Sequence, residues 1–271
     1  MKRRASAQKP VLSESTYRVI VEYDGTGFCG FQFQPALRTV AGELEAALSR
    51  LFGQSVKVTA AGRTDAGVHA SAQVVSFRAH DAFPVRRLAL ALNSALPNDL
   101  SARDAERSDG SFSARNSALA RHYAYTVLNR RMPSAVLRRY AHHDWRALDL
   151  ERMQSAAAWV VGEHDFVTFC SVQPDRGGTV RTLHALRIEG RGELVRLHFE
   201  GAGFLHRMVR ILTGTLLDVG AGRRTPESLV RLLAARDRRL AGPTAPPQGL
   251  CLVNVVYPDF ESRASGDAFF R

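Results

Sequence analysis

The sequence predicts an α+β protein made of two tandem ferredoxin-like halves, with a mostly antiparallel central sheet and flanking helices. Two observations carry this expectation. Residues 16–113 read strand, helix, strand, strand, helix, strand, and residues 114–258 repeat that order less regularly. A third supports it: 45% of the 271 residues are hydrophobic and 23% charged, a globular balance that supplies a real core.

The elements follow in order. "TYRVIVEYDG" (16–25) is β-branched and aromatic and ends in Asp-Gly, the signal of a strand running into a turn. After Thr39, an N-cap residue, Val40, Leu44, Leu48 and Leu51 recur at helical spacing. "SVKVTAAGR" (55–63) and "AQVVSFRAH" (72–80) are strands joined by a Gly-containing loop. A helix over 84–96 has Pro84 near its start, and 100–108 closes the first half as a weak strand. In the second half, 121–129 is a strand and 147–161 a helix around Met153, Ala157, Trp159 and Val160. "LHALRIEG" and "LVRLHFEG" alternate on either side of "RGE", which predicts a hairpin. Helices are expected over 204–220, mostly apolar, and over 225–236, with Thr225 as N-cap and Pro226 at the first helical position. The Pro/Gly stretch 241–249 is a loop, and 251–258 the last strand. The halves divide near residue 113, with mobile tails over 1–15 and 259–271.

Lys and Arg number 37 against 26 Asp and Glu, a formal charge of +11. That balance favours a polyanionic partner, a nucleic acid or an anionic membrane surface. No apolar run approaches 18 residues and no amphipathic basic helix stands out, which argues against a membrane role. "MKRRASAQKP" is followed by no apolar stretch, so no secretory leader is expected. Cys29, Cys170 and Cys251 are scattered and odd in number, which fits buried, inert thiols in a reducing cytoplasm.

Most catalytic signatures are missing. There is no HExxH, no Cys/His cluster, no P-loop and no GxSxG elbow. "HHD" at 142–144 is a weak metal candidate, and no metal is expected. "YDGTGFCG" (23–30) lacks the helix that a dinucleotide cradle needs. What remains is Asp65 in "AGRTDAGVHA" (61–70), a lone carboxylate between glycines with Arg63 two residues before it. A neighbouring cation favours the charged carboxylate. Arg63 is one candidate; Arg207 and Arg210, on the polar side of the helix 204–220, are the others. Tyr123 and Tyr125 share a strand face with Arg121, either as core packing or as a base-stacking platform beside a phosphate-binding arginine. These residues alone leave several readings open: an RNA-acting enzyme, a non-catalytic RNA-binding module, and a hydrolase using one carboxylate.

Six segments in order narrow the choice. "GRTDAGVHA" (62–70), "VEYDGTGFCGFQFQP" (21–35), "FSARNSALARHYAY" (112–125), "DFVTFCS" (165–171), "FLHRMVRILTGTLLDVG" (204–220) and "PQGLCLVNVVYP" (247–258) together resemble the tRNA pseudouridine synthase A family over residues 16 to 258. The resemblance implies a pseudouridine synthase fold and isomerisation of uridine at tRNA positions 38, 39 and 40. It also implies a homodimer and no cofactor. It makes Asp65 the catalytic aspartate and Arg210 its helix partner. Tyr123 becomes the residue that contacts the substrate uridine, and Arg63 the one that holds the flipped nucleotide's place. The sequence departs from the family pattern at Phe31-Gln32-Phe33-Gln34, where many members carry a tryptophan and a basic residue.

Overall fold

A computed structural model describes residues 14–80, 83–174 and 177–263. Among them, ten strands form one sheet: β1 (Glu14–Tyr23), β2 (Thr59–Ala60), β3 (His69–His80), β4 (Leu100–Ser108), β5 (Ala120–Asn129), β6 (His142–Asp144), β7 (Gly162–Asp165), β8 (Val180–Arg191), β9 (Leu194–Gly201) and β10 (Leu250–Val256). The helices are α1 (Val40–Phe52), α2 (Val85–Asn93), α3 (Leu150–Ala158), α4 (Met208–Gly220) and α5 (Ser228–Ala235).

The sheet order is β4-β1-β3-β10-β5-β9-β8-β7, with β2 beside β3 and β6 beside β5. Pairing is antiparallel except for β10 with β3 and β5 with β6. The last strand therefore lies in the middle of the sheet. Leu252 stands between Ala70 of β3 and Tyr123 of β5, so these three residues sit side by side across the seam.

Period-two alternation builds the core. Tyr17, Val19, Val21 and Tyr23 of β1 are buried on one face, as are Val195, Leu197 and Phe199 of β9. Leu44 and Leu48 of α1 are fully buried, and the Tyr17 ring stacks on Phe77 with centroids 5.1 Å apart. Thr39 caps α1 as the sequence predicts, its hydroxyl accepting from the Gly42 N–H.

Several boundaries differ from expectation. The strand 55–63 shortens to β2, and the strand expected from residue 72 starts at His69. The helix expected over 147–161 is confined to α3, because the Asp149 carboxylate caps it by accepting from the Arg152 N–H. "HHD" forms β6, which takes over the flank of β5 beyond the end of β10. The helix expected over 204–220 begins at Met208, and Arg207 holds a left-handed φ of +60°. The helix expected from Thr225 begins at Ser228 with Glu227 at its N-cap, and the Thr225 carbonyl accepts from the Ser228 N–H in a turn. Of the tail expected over 1–15, residues 1–13 lie outside the described residues and Glu14 and Ser15 belong to β1. Of that expected over 259–271, residues 264–271 lie outside them. Ser262 is buried, its hydroxyl donating to the Ala72 carbonyl and accepting from the Val255 N–H, both at 2.8 Å.

The loop 241–249 is a brace for α4. Gly214 lets it lie directly on the helix: a Cβ there would come 1.9 Å from the Pro243 carbonyl oxygen. This closeness delivers Ala245 to the first turn of α4, where its N–H donates to the Arg210 carbonyl at 3.0 Å. Gly214→Ala should therefore lower stability by about 2–3 kcal/mol through overpacking against backbone. A reduced urea midpoint at unchanged slope checks this.

Candidate active site

The loop between β2 and β3 carries Asp65, and two neighbouring segments hold it. Gly25, at the turn after β1, packs so close that a Cβ would meet the Val68 carbonyl oxygen at 2.0 Å. The Phe31 N–H donates to the Thr64 carbonyl (3.0 Å), and the Gly67 N–H to that of Phe28 (3.3 Å). The "YDGTGFCGF" segment is thus a cradle for the Asp65 loop. Beneath it, the Tyr23 hydroxyl meets Thr64 Oγ1 at 2.9 Å, and Gln73 donates to the Gly62 carbonyl at 2.7 Å. Burial pushes the Tyr23 phenol well above its usual pKa, so it remains neutral. His69 is also neutral. Burial pulls its pKa down, its Nδ1 accepts from the Gly25 N–H, and its Nε2 faces the Arg139 carbonyl at 2.7 Å.

The Asp65 carboxylate is 19% exposed, and its Oδ2 accepts from Arg210 Nη1 at 2.7 Å. The Arg210 guanidinium is itself fixed, its Nε donating to the Ala245 carbonyl at 2.8 Å. A bond between residues 145 positions apart joins the loop to the first turn of α4. The other oxygen, Oδ1, lies 3.6 Å from His206 Nε2. Arg63, one of the candidate cations for Asp65, is exposed, and the ion pair of Asp65 is made by Arg210 instead. Arg207 is also exposed, because its left-handed backbone takes it off the helix on which it was expected beside Arg210. Such a conformation costs a non-glycine residue about 1–3 kcal/mol.

Arg121 is no phosphate ligand. It is 8% exposed, and its guanidinium is spent on backbone carbonyls. Nε and Nη2 donate to Ala61 (3.1 and 2.9 Å), Nη1 to Ala118 (3.1 Å) and Ala202 (2.6 Å), and Nη2 also to Arg115. It ties the start of the Asp65 loop to β5 and to the turn before His206. Tyr123 and Tyr125 are buried rather than displayed as a platform. The Tyr123 ring meets Phe204 edge-on at 5.3 Å, and its oxygen lies 3.3 Å from where a Gly62 Cβ would stand. Burial raises its phenol well above the ordinary value. Tyr125 donates to the Pro246 carbonyl at 2.8 Å.

The other candidates resolve simply. Cys170 and Cys251 are buried as expected, but Cys29 is exposed. Asp144 of "HHD" is bound by Arg146, and the described residues contain no group of three His, Cys, Asp or Glu placed to hold a metal. None of their helices is long and apolar enough to cross a membrane. In the "FQFQ" segment, Phe31 is a core residue, whereas Phe33 is 51% exposed with Lys57 Nζ 5.1 Å from its ring centroid.

A family model described as tRNA pseudouridine synthase matches residues 19–115 and 156–258. The chain belongs to that family. Three curated relatives, each named tRNA pseudouridine synthase A, align over nearly their whole length. The one from Geotalea uraniireducens (strain Rf4) is 44% identical over 240 residues, covering 89% of this chain and 98% of that one. The one from Brevibacillus brevis (strain 47 / JCM 6285 / NBRC 100599) is 45% identical with the same coverage. That from Methylococcus capsulatus (strain ATCC 33009 / NCIMB 11132 / Bath) is 44% identical over 251 residues, 93% and 92% of the two chains. Among solved structures, an archaeal box H/ACA sRNP Nop10-Cbf5 complex aligns distantly, with TM-score 0.33 and 14% identity over 74% of this chain and 44% of that one.

In this member of the tRNA pseudouridine synthase family, sequence reasoning missed His206 beside Asp65 and the structural use of Arg121. The signal for His206 was its place four residues before Arg210, which a helical reading of 204–220 puts on the same face. Arg121→Met should cost about 3–5 kcal/mol, because four carbonyls lose their donor at about 1 kcal/mol or more each. Arg121→Lys should recover only part of that, since an ammonium lacks the guanidinium fork. Denaturant titration of both variants checks the order.

Proposed function

We propose that this protein is a tRNA pseudouridine synthase that isomerises uridine to pseudouridine at positions 38, 39 and 40 of the anticodon stem and loop, with Asp65 as the catalytic nucleophile. The observation that carries this reading is the Asp65 carboxylate in its family loop, one oxygen fixed by Arg210 and the other open to a substrate. The half over 16–113 carries the catalytic loop, and the half over 114–258 supplies Arg210 and Tyr123. The protein acts as a homodimer in the cytoplasm.

The reaction breaks the N1–C1′ bond, turns the uracil and forms a C5–C1′ bond, while the C5 hydrogen is replaced by one at N1. Atoms and electrons balance within the substrate, so no cofactor is needed. Attack on C1′, attack on C6 and removal of the C2′ proton each use one free carboxylate oxygen, and Oδ1 is that oxygen. A target base in a stem leaves the stack at a cost of a few kcal/mol. Arg63, which is exposed in the loop, fills the space the nucleotide vacates. Tyr123 meets the base through its hydroxyl, which stays protonated because burial disfavours the phenolate. The formal charge of +11 provides affinity for the RNA backbone that falls steeply with salt.

The test uses bulk tRNA lacking the modification, with wild-type protein and Asp65→Ala, and pseudouridine mapped by carbodiimide-block primer extension. Stops in the anticodon arm with wild type alone are expected. Stops elsewhere overturn the positions, released uracil points to a hydrolase, and salt-sensitive binding without stops points to a non-catalytic RNA-binding module. Tyr123→Phe should keep tRNA affinity and lower turnover; full turnover would show that the hydroxyl carries no proton in the reaction.

A further inference from the structure

The pairing of Asp65 Oδ2 with Arg210 leaves the orientation of Oδ1 to something else, and one side chain stands within reach of it. His206 Nε2 lies 3.6 Å from Oδ1. The His206 imidazole is held at its other end, where Nδ1 meets Ser171 Oγ at 2.7 Å. The same two residues are also joined through the backbone, the Ser171 N–H donating to the His206 carbonyl at 3.2 Å. Two bonds to one serine therefore fix both the position of His206 and the plane of its ring. The left-handed φ of +60° at Arg207 turns the chain so that His206 precedes α4 and does not lie on it. On a continued helix, residue 206 would stand one turn before Arg210 on the same face; here His206 lies before the helix and its side chain reaches the other oxygen of the same carboxylate.

We propose that His206 is a positioning residue for Asp65, and that Ser171 sets its orientation. This rests on the reading of Asp65 as the nucleophile of a pseudouridine synthase. With the Ser171 hydroxyl donating to Nδ1, the Nε2–H is the group presented to Oδ1. At 3.6 Å this is an electrostatic approach rather than a hydrogen bond. It steers the carboxylate without tying up the oxygen that reacts. Arg210 anchors one oxygen tightly and His206 aims the other loosely, which suits a carboxylate that must be held in place and yet attack. His206 is 44% exposed, so it lies on the open side of the carboxylate, where a flipped nucleotide has to enter. The "DFVTFCS" segment, which carries Ser171, thereby acquires a role in aiming the nucleophile through His206.

The experiment is single-turnover pseudouridine formation on unmodified tRNA, with the tRNA dissociation constant measured in parallel. Wild type, Asp65→Ala, His206→Ala, His206→Gln and Ser171→Ala are compared. His206→Ala should slow the single-turnover rate roughly 10–100-fold, the scale of a misaimed reacting group, with tRNA affinity changed less than about 2-fold. His206→Gln, whose amide N–H reaches the position of the imidazole Nε2–H, should recover most of that rate, and Ser171→Ala should lie between wild type and His206→Ala. An unchanged rate in His206→Ala overturns the proposal. So does a loss that His206→Gln shares in full, or one that appears entirely as weaker tRNA binding, since those mark packing or RNA contact. Wild-type protein that forms no pseudouridine overturns the parent reading and this one with it, a result distinguishable because it appears before any variant is compared.

Discussion

Placement of the last strand in the middle of the sheet is the constraint on which the site depends. β10 pairs in parallel with the start of β3 and antiparallel with β5, so segments far apart in sequence meet at one seam. The Asp65 loop ends where β3 begins. Tyr123 lies two strands away across Leu252. The 3-10 turn at Pro247–Gly249 that leads into β10 is preceded by the loop bracing Arg210. If β10 were an edge strand, the carboxylate, its arginine and the tyrosine would have no reason to converge.

Around the seam, positive charge is used in two different ways. Arg121 is buried among backbone carbonyls and has no carboxylate partner among its bonds. A guanidinium tolerates this because its planar fork satisfies several acceptors at once and resists losing its proton. Arg210 is nearly as buried but faces a carboxylate, so its charge is directed at the reacting group. Arg63 and Arg207 remain exposed and free for an anionic partner. The arginine excess thus divides into a structural clamp, a site partner and an outward-facing set, and only position in the fold separates them.

Much of this was legible beforehand. Alternation in 16–23 and 194–201 and the helical stripe after Thr39 gave elements that the structure keeps, because burial of one face imposes those periods. Asp65 and Arg210 stood out as charged residues in settings that need a partner. Boundaries were less legible. Thr225-Pro226 has the look of a helix start, yet the helix begins at Ser228, because a cap signal describes one turn and not its fit to the neighbouring helix. Residues 204–207 look helical by composition, but the bond from the Ser171 N–H to the His206 carbonyl draws that backbone out of the helix.

The sequence by itself determined the element types, the globular core, the excess of positive charge and the lone carboxylate in a glycine-bearing loop. Each of these follows from local pattern or composition, which a one-dimensional reading can sum. Local pattern left Arg63, Arg207 and Arg210 open as partners of Asp65, and the family resemblance pointed to Arg210. Only the tertiary structure decided that Arg210 makes the pair and Arg63 stands apart, that Arg121 is a clamp and not a phosphate ligand, and that His206 stands beside the carboxylate. Those choices rest on distances between residues as much as 145 positions apart, and such distances are set by strand order and close packing, not by spacing along the chain.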